Sequence, residues 1–161
     1  MSTTSQAEPA PTFFINLPTT SLSEAAEFFT SLNFTRVEAW SDASTTTLLL
    51  PAPNSTICLM LHAHSRFRQF MRPGSSIANP HTSTEVLFSI RCETREEVDG
   101  WLDRVEKAGG KRDPYVMDKY GEGMGMYVRS WADGEGHVWE CFCMLPGGGC
   151  SGGEKREGEG A

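Results

Sequence analysis

Two stretches of the chain repeat the same order of apolar and polar positions. Residues 12–17 and 85–91 are rich in aromatic and branched apolar side chains, which is typical of β-strands. After each of these stretches, apolar residues recur at helical spacing, first over residues 22–32 and later over residues 98–108. The pattern therefore predicts a strand followed by an amphipathic helix, twice along the chain.

Both predicted helices begin and end with the same local signals. A Ser or Thr stands at each start with a Glu three residues on, Ser21 with Glu24 and Thr94 with Glu97, which is the capping-box pattern. Asn33 and Gly109 follow the last turns, and these residue types best tolerate the left-handed conformation that ends a helix.

Three further strand-like segments follow each predicted helix. They cover residues 34–40, 46–50 and 56–62 after the first helix, and residues 112–117, 124–131 and 137–144 after the second. The chain is thus predicted to be an α+β protein made of two βαβββ modules, whose curved sheets pair around a shared cavity.

We expect one domain over residues 12–145. It consists of two modules, residues 12–64 and 84–145, which are joined by a connector, residues 65–83. Residues 1–11 are a Ser/Thr/Pro-rich lead that we expect to be flexible. Residues 146–161 are mostly Gly and charged residues, which bury too little apolar surface to offset their chain entropy, so we expect a disordered tail.

Charge and composition limit the classes of partner. The formal net charge of −7 argues against nucleic acid, which requires clustered basic residues. No apolar run is long enough to span a membrane, and residues 1–11 lack the features of a secretory signal. The five scattered cysteines are most simply buried, reduced thiols. We therefore expect a cytoplasmic protein.

Strand alternation separates the side chains that pack under the helices from those on the opposite face. In the first strand, Phe13, Ile15 and Leu17 are expected to pack under the helix. The opposite faces are expected to line the cavity, and they carry Phe14, Asn16, Met60, His62, Glu85, Leu87, Glu140 and Phe142. The alternative is that their polar members simply face solvent on half-exposed strands.

At these residues the chain resembles the vicinal oxygen chelate superfamily, which includes glyoxalase I, bleomycin-resistance proteins, fosfomycin-resistance enzymes and extradiol dioxygenases. The strongest part of the resemblance is the last predicted hairpin, from Arg129 to Glu140, which is similar to a family turn followed by a strand with a metal-binding Glu. Gly134 and Glu135 replace the usual Pro and Asp of that turn. The resemblance covers residues 12–144 and implies the paired-module fold.

Enzymes of this superfamily hold a divalent ion with one residue from each of four strands. The resemblance places two of these positions at Glu140 and Glu85, which can ligate. The other two fall on Phe14, which cannot ligate, and on Met60, a poor ligand for a hard divalent ion. His62, one pleat beyond Met60, could supply a third ligand. We therefore expect no tightly bound cofactor, although a divalent metal is possible.

The resemblance implies a small organic ligand or substrate, and two hypotheses remain open. One is a metal-free binding protein similar to the bleomycin-resistance members. The other is a metal-dependent lyase or isomerase of the glyoxalase type, with Glu85 and Glu140 as ligands or proton shuttles. The basic and aromatic segment 66–72 could grip an anionic substrate or cover the seam between the modules. A homodimer is possible.

Overall fold

The computed structural model describes residues 10–84, 86–116 and 121–147. The first module contains strands β1 to β4 and helix α1: β1 Phe13–Thr19, α1 Leu22–Ser31, β2 Thr35–Arg36, β3 Thr45–Leu49 and β4 Ile57–Ala63. The connector holds a short helix, α2 His64–Phe67, and a 3₁₀ turn, Arg68–Phe70. The second module repeats the first: β5 Leu87–Arg91, α3 Arg95–Lys107, β6 Lys111–Arg112, β7 Met126–Ala132 and β8 Val138–Met144.

The two sheets share one topology, which confirms the predicted duplication. The strand order is β1-β4-β3-β2 in the first sheet and β5-β8-β7-β6 in the second. In each module the strand before the helix runs parallel to the last strand, and the remaining pairs are antiparallel. The strands β1 and β5 are therefore edges of their sheets.

The helix boundaries follow the predicted signals. The hydroxyl of Ser21 accepts a hydrogen bond from the backbone N–H of Glu24, and Thr94 does the same for Glu97. Asn33 has φ 69° and Gly109 has φ 89°, so a left-handed residue follows each helix. These caps satisfy backbone groups that the helix itself leaves unpaired.

One apolar core joins both modules. Phe29 of α1 and Trp101 of α3 are each only 2% exposed, so the apolar faces predicted for the two helices are buried. Phe29 also meets Trp139 of the second sheet edge to face at 5.6 Å, and Trp101 meets Phe34 of the first module at 6.1 Å. Such contacts hold the two sheets in a fixed relative position.

The four cysteines that the structure describes are free thiols, and all are buried: Cys58, Cys92, Cys141 and Cys143. Burial raises the pKa of the Cys58 thiol. Within the described ranges, no helix is both long and apolar enough to cross a membrane.

Two of the predicted strands are shorter in the structure. The strand predicted over residues 34–40 is only Thr35–Arg36, because the chain turns into a 3₁₀ helix, Glu38–Trp40, whose end is closed by a bond from Trp40 N to Val37 O. The strand predicted over residues 112–117 is only Lys111–Arg112, since Asp113 has φ 45° and leaves the extended conformation.

Phe13 was expected to pack under α1 but is 61% exposed. It is the first residue of β1, and the register pairs it with Ile57, which is also the first residue of β4. The buried part of β1 lies at its other end, where Leu17 joins the core.

Candidate functional site

A large cavity lies between the two modules, under the connector. Its volume is about 700 Å³, and β1, the connector and the start of β8 all contribute to its wall. The apolar part of the wall consists mainly of connector side chains with two residues of the second module: Phe67, Phe70, Met71, Ile77, Val86 and Val138. A volume of 300–1,000 Å³ with a mostly apolar wall is typical of small-molecule sites.

The polar part of the wall supplies hydrogen-bond donors. Asn16 and Pro18 of β1, Arg72 of the connector and His137 before β8 line the cavity, together with several Ser and Thr hydroxyls. Among the residues that the structure describes, no Asp or Glu lines it. The cavity therefore offers donors and one fixed positive charge to a ligand.

A buried hydrogen-bond chain stands behind Asn16. His62 of β4 is 3% exposed, and its Nε2 lies 2.9 Å from Asn16 Oδ1 while its Nδ1 lies 2.9 Å from Thr45 Oγ1. The rings of Phe67 and Phe70 pack beside the imidazole. Burial lowers the pKa of His62, the charge of Arg66 lowers it further, and Asp42 partly opposes both.

Glu140 lies in a separate, smaller pocket of about 240 Å³ in the second module. Its side chain is 4% exposed, and each carboxylate oxygen accepts a hydrogen bond from a hydroxyl. Ser89 of β5 donates to Oε2 at 2.9 Å, and Tyr115 donates to Oε1 at 2.8 Å. The backbone carbonyl of Tyr115 accepts a further bond from the Ser130 hydroxyl, so Tyr115 is held beside Glu140 by two hydrogen bonds.

The cation that lines the Glu140 pocket, Arg129, is engaged elsewhere. Arg129 donates two hydrogen bonds to the carboxylate of Asp113 and a third, of 3.2 Å, to Asp99. The bonds to Asp113 hold the pKa of Arg129 above its ordinary value despite partial burial. Arg129 thus lines the Glu140 pocket while its charge is balanced by two other carboxylates.

Asp133 organises the turn that leads into β8. Its carboxylate accepts bonds from the backbone N–H groups of Glu135 and His137 and from the indole of Trp139, and it lies 3.2 Å from His137 Nδ1. Because Asp133 is buried, these bonds fix the direction of the strand that carries Glu140.

The expected site residues separate into distinct places. Asn16 lines the large cavity, and His62 lies directly behind it. Met60 is half-buried beside Asn16 in the strand register, and Phe14 is partly exposed against the ring of Trp40. Neither lines the large cavity among the described residues.

The remaining expected residues belong to the second module. Leu87 of β5 is partly exposed, and Phe142 of β8 is half-buried opposite Arg91. Glu85 lies outside the described residues, so its expected approach to Glu140 stays a prediction. In the register of β5 and β8, the residue beside Glu140 is Ser89.

Three contributors were not singled out from the sequence. Ser89 shares the strand face of Leu87, so alternation could have identified it as a neighbour of Glu140. Thr45 pairs with His62 across β3 and β4, which required the strand register. Tyr115 lies in the segment predicted as a strand over residues 112–117, and because the chain leaves the extended conformation at Asp113, alternation did not indicate that Tyr115 would reach Glu140.

The chain matches the model of the Glyoxalase/Bleomycin resistance protein/Dioxygenase superfamily over residues 13–141. The chain belongs to this superfamily. Among curated proteins, none matches the chain.

Solved structures share the glyoxalase/bleomycin-resistance/dioxygenase fold with this chain. The hypothetical protein SA1046 from S. aureus aligns with a TM-score of 0.64 at 23% identity, covering 86% of this chain and 96% of its own. A glyoxalase/bleomycin resistance protein/dioxygenase from Nocardioides aligns with a TM-score of 0.64 at 19% identity, covering 91% of both chains. The fosfomycin resistance protein FosX from Listeria monocytogenes aligns with a TM-score of 0.54 at 17% identity, covering 87% of this chain and 94% of its own. At these identities the likeness concerns the fold alone.

The described residues do not fit the four-ligand metal site that the superfamily resemblance implies. Phe14 and Met60 occupy two of its positions, and both oxygens of Glu140 already accept hydroxyl hydrogen bonds. Both ring nitrogens of His62 are within hydrogen-bond distance of Asn16 or Thr45. In the described part of the chain, no three His, Cys, Asp or Glu residues are grouped so that they could hold a metal ion. We therefore derive no chemical step through a metal.

Proposed function

We propose that this protein binds a small organic molecule in the cavity between its modules, and that it does so without a tightly held divalent ion. The observation that carries the proposal is the cavity itself, which combines a volume of about 700 Å³ with an apolar wall and a few polar groups. Binding sites of this kind bury most of a ligand of moderate size.

The connector supports a binding role because it contributes apolar residues and a cation to the cavity wall. Phe67, Phe70 and Ile77 present apolar surface to the cavity, and the neighbouring Arg72 supplies the charge. Apolar area contributes about 25 cal/mol per Å² when a ligand removes it from water. A flat aromatic or aliphatic ligand would gain most from this wall.

The test is a fluorescence titration with N-phenyl-1-naphthylamine, a neutral aromatic probe whose emission rises in apolar surroundings. We expect saturable binding by the unmodified chain. Ile77→Trp adds bulk to the cavity wall and is expected to weaken binding about ten-fold, the equivalent of about 1.4 kcal/mol. Met124→Trp is the matched control, because Met124 is exposed and lines none of the cavities described above.

Equal binding by both Trp variants would place the probe on the surface and contradict the proposal. Absence of saturable binding by the unmodified chain would contradict it directly. Thermal unfolding of both variants controls for loss of structure.

The pocket around Glu140 supports a second candidate, a lyase or isomerase of the glyoxalase type. A carboxylate buried between Ser89 and Tyr115 could take a proton from a carbon next to a carbonyl and return it to the neighbouring carbon. Glu85 would be the second carboxylate. Thioester formation from a 2-oxoaldehyde–thiol adduct tests this function, with Glu140→Gln abolishing turnover and Glu27→Gln, at an exposed position of α1, leaving it unchanged.

We further propose that the protein forms a homodimer. The edge strand β1 exposes Phe13 and Phe14, and the edge strand β5 exposes Leu87, with Val86 just before it. Exposed apolar side chains on unpaired strand edges favour association with a second chain.

A further inference from the structure

We infer that the ligand of the inter-module cavity carries an oxyanion, which Asn16 and Arg72 bind, and that His62 is the positioning residue that orients Asn16 toward it. This inference rests on the proposed binding function and specifies the chemical class of the ligand. Two observations support it: the hydrogen bond from His62 to Asn16 behind the cavity wall, and the positive charge of Arg72, which forms no ion pair with a described residue.

The direction of the hydrogen bonds determines which atoms of the Asn16 amide are available to a ligand. A carboxamide oxygen can only accept, so the 2.9 Å contact between Asn16 Oδ1 and His62 Nε2 requires that Nε2 carry the proton. In the neutral ring, Nδ1 then has a lone pair, which accepts from the Thr45 hydroxyl at 2.9 Å. Both ring nitrogens are satisfied by this single arrangement.

The consequence is that the amide nitrogen of Asn16 stays available. Its oxygen is held by His62, and Nδ2 makes no hydrogen bond within the described part of the chain. Asn16 lines the cavity, so its N–H groups are the part of this amide that a ligand can use. Without His62, the amide could rotate and present its oxygen instead.

The positive charge of Arg72 also favours an anionic ligand. It lines the same cavity and forms no ion pair with the residues that the structure describes. Among the residues that the structure describes, no carboxylate lines the wall to compete with a ligand anion for the guanidinium. Hydrogen bonds from charged donors to anionic oxygens are shorter and stronger than neutral ones.

The experiment compares two probes that share one skeleton. 8-Anilinonaphthalene-1-sulfonate is the probe of the previous section with a sulfonate added, so the ratio of the two dissociation constants isolates the oxyanion. We expect the sulfonate to bind about ten-fold more tightly than the neutral probe. Arg72→Gln and Asn16→Asp are expected to remove that preference, so that the ratio of the two dissociation constants falls to about one. Arg72 is exposed, so its substitution leaves folding intact.

Two amide variants of His62 distinguish its contact with Asn16, at Nε2, from its contact with Thr45, at Nδ1. The Gln side chain can place an N–H near the position of Nε2, whereas the shorter Asn side chain reaches only the position of Nδ1. His62→Gln should therefore keep the preference for the sulfonate, and His62→Asn should lose it. Nitrogen NMR of the unmodified protein should report the neutral ring with the proton on Nε2.

The outcomes separate this inference from the binding function. If the neutral probe binds and the sulfonate binds no more tightly, the oxyanion inference is wrong and the binding function stands. If neither probe binds, both are wrong. A proton on Nδ1 of His62, or an unchanged probe ratio in His62→Asn, would overturn its positioning role.

Discussion

The carboxylate of Glu135 accepts a hydrogen bond of 2.6 Å from the hydroxyl of Thr19, across 116 residues of chain. The same oxygen, Oε1, also accepts bonds from the backbone N–H and the hydroxyl of Thr20, at 2.7 and 2.8 Å. These bonds connect the start of α1 in the first module to the turn before β8 in the second. Burial raises the pKa of Glu135, but the bonds from Thr19 and Thr20 outweigh it, so the pKa lies below its ordinary value.

Removing this carboxylate should destabilise the whole domain. Glu135→Ala loses three hydrogen bonds to an ionised group, and we expect a loss of about 1–3 kcal/mol in the free energy of unfolding, measured in urea. Glu27→Ala, at an exposed position of α1, is the control and should change it by less than about 0.5 kcal/mol. Equal effects of the two substitutions would mean that the bonds contribute nothing.

Glu135 should also make stability depend on acid. Because its pKa is lower in the folded than in the unfolded state, its contribution is complete above the ordinary glutamate pKa of about 4.3 and is lost as pH falls through the lower folded value. Urea midpoints measured from neutral pH into this range should fall less steeply for Glu135→Ala than for the unmodified chain. Parallel curves would contradict the assignment.

His62 should contribute a second, separate pH dependence. Its pKa is lowered in the folded protein, first by burial, so the unfolded chain binds the additional proton. Its contribution to stability is therefore present above the ordinary histidine pKa of about 6.5 and lost as pH falls toward the folded value. His62→Gln should flatten the stability curve in this range, measured as urea midpoints at a series of pH values. A curve as steep as that of the unmodified chain would contradict the assignment.

The bond between Tyr115 and Glu140 should appear as a coupling energy. Tyr115→Phe removes the donor at 2.8 Å, and Glu140→Gln removes the charge that accepts it. A double-mutant cycle on the free energy of unfolding isolates the pair from their other contacts. We expect a coupling of about 1–2 kcal/mol. Additive effects within about 0.3 kcal/mol would show that the two side chains do not depend on each other.

Metal content distinguishes the two functional hypotheses. Protein purified without chelators and then dialysed should hold well under one divalent ion per chain, because Phe14 and Met60 stand where two ligands are expected. Elemental analysis by mass spectrometry measures this. Stoichiometric zinc, nickel or iron would contradict it, and loss of that metal in His62→Gln would then identify the replacement ligand.

Association should depend on the edge strands. Light scattering on a sizing column is expected to give twice the chain mass. Phe13→Lys and Leu87→Lys introduce charge at exposed positions of β1 and β5 and should shift the protein to monomer. Met124→Lys, equally exposed but outside both strands, should leave the dimer intact. A monomer in the unmodified chain would refute the proposed dimer.

The repeated fold could be predicted because its signals are local. The capping partners Ser21 and Glu24 lie within one helical turn, as do Thr94 and Glu97, and apolar periodicity needs only neighbouring positions. Alternation also explains why Trp139, Cys141 and Cys143 are buried together on one face of β8. Short-range hydrogen bonding and spacing are sufficient for these features.

The candidate site depended on contacts between distant residues. Alternation placed Asn16 and His62 on corresponding faces, but only the parallel register of β1 and β4 brings the two side chains to 2.9 Å. The bond from Tyr115 to Glu140 requires that the chain leave the extended conformation at Asp113, within the segment predicted as a strand over residues 112–117. The amino-acid sequence by itself therefore determined the two modules and their buried faces, because those follow from local periodicity. The tertiary structure decided which polar groups meet, because their pairing depends on how the chain closes over long distances.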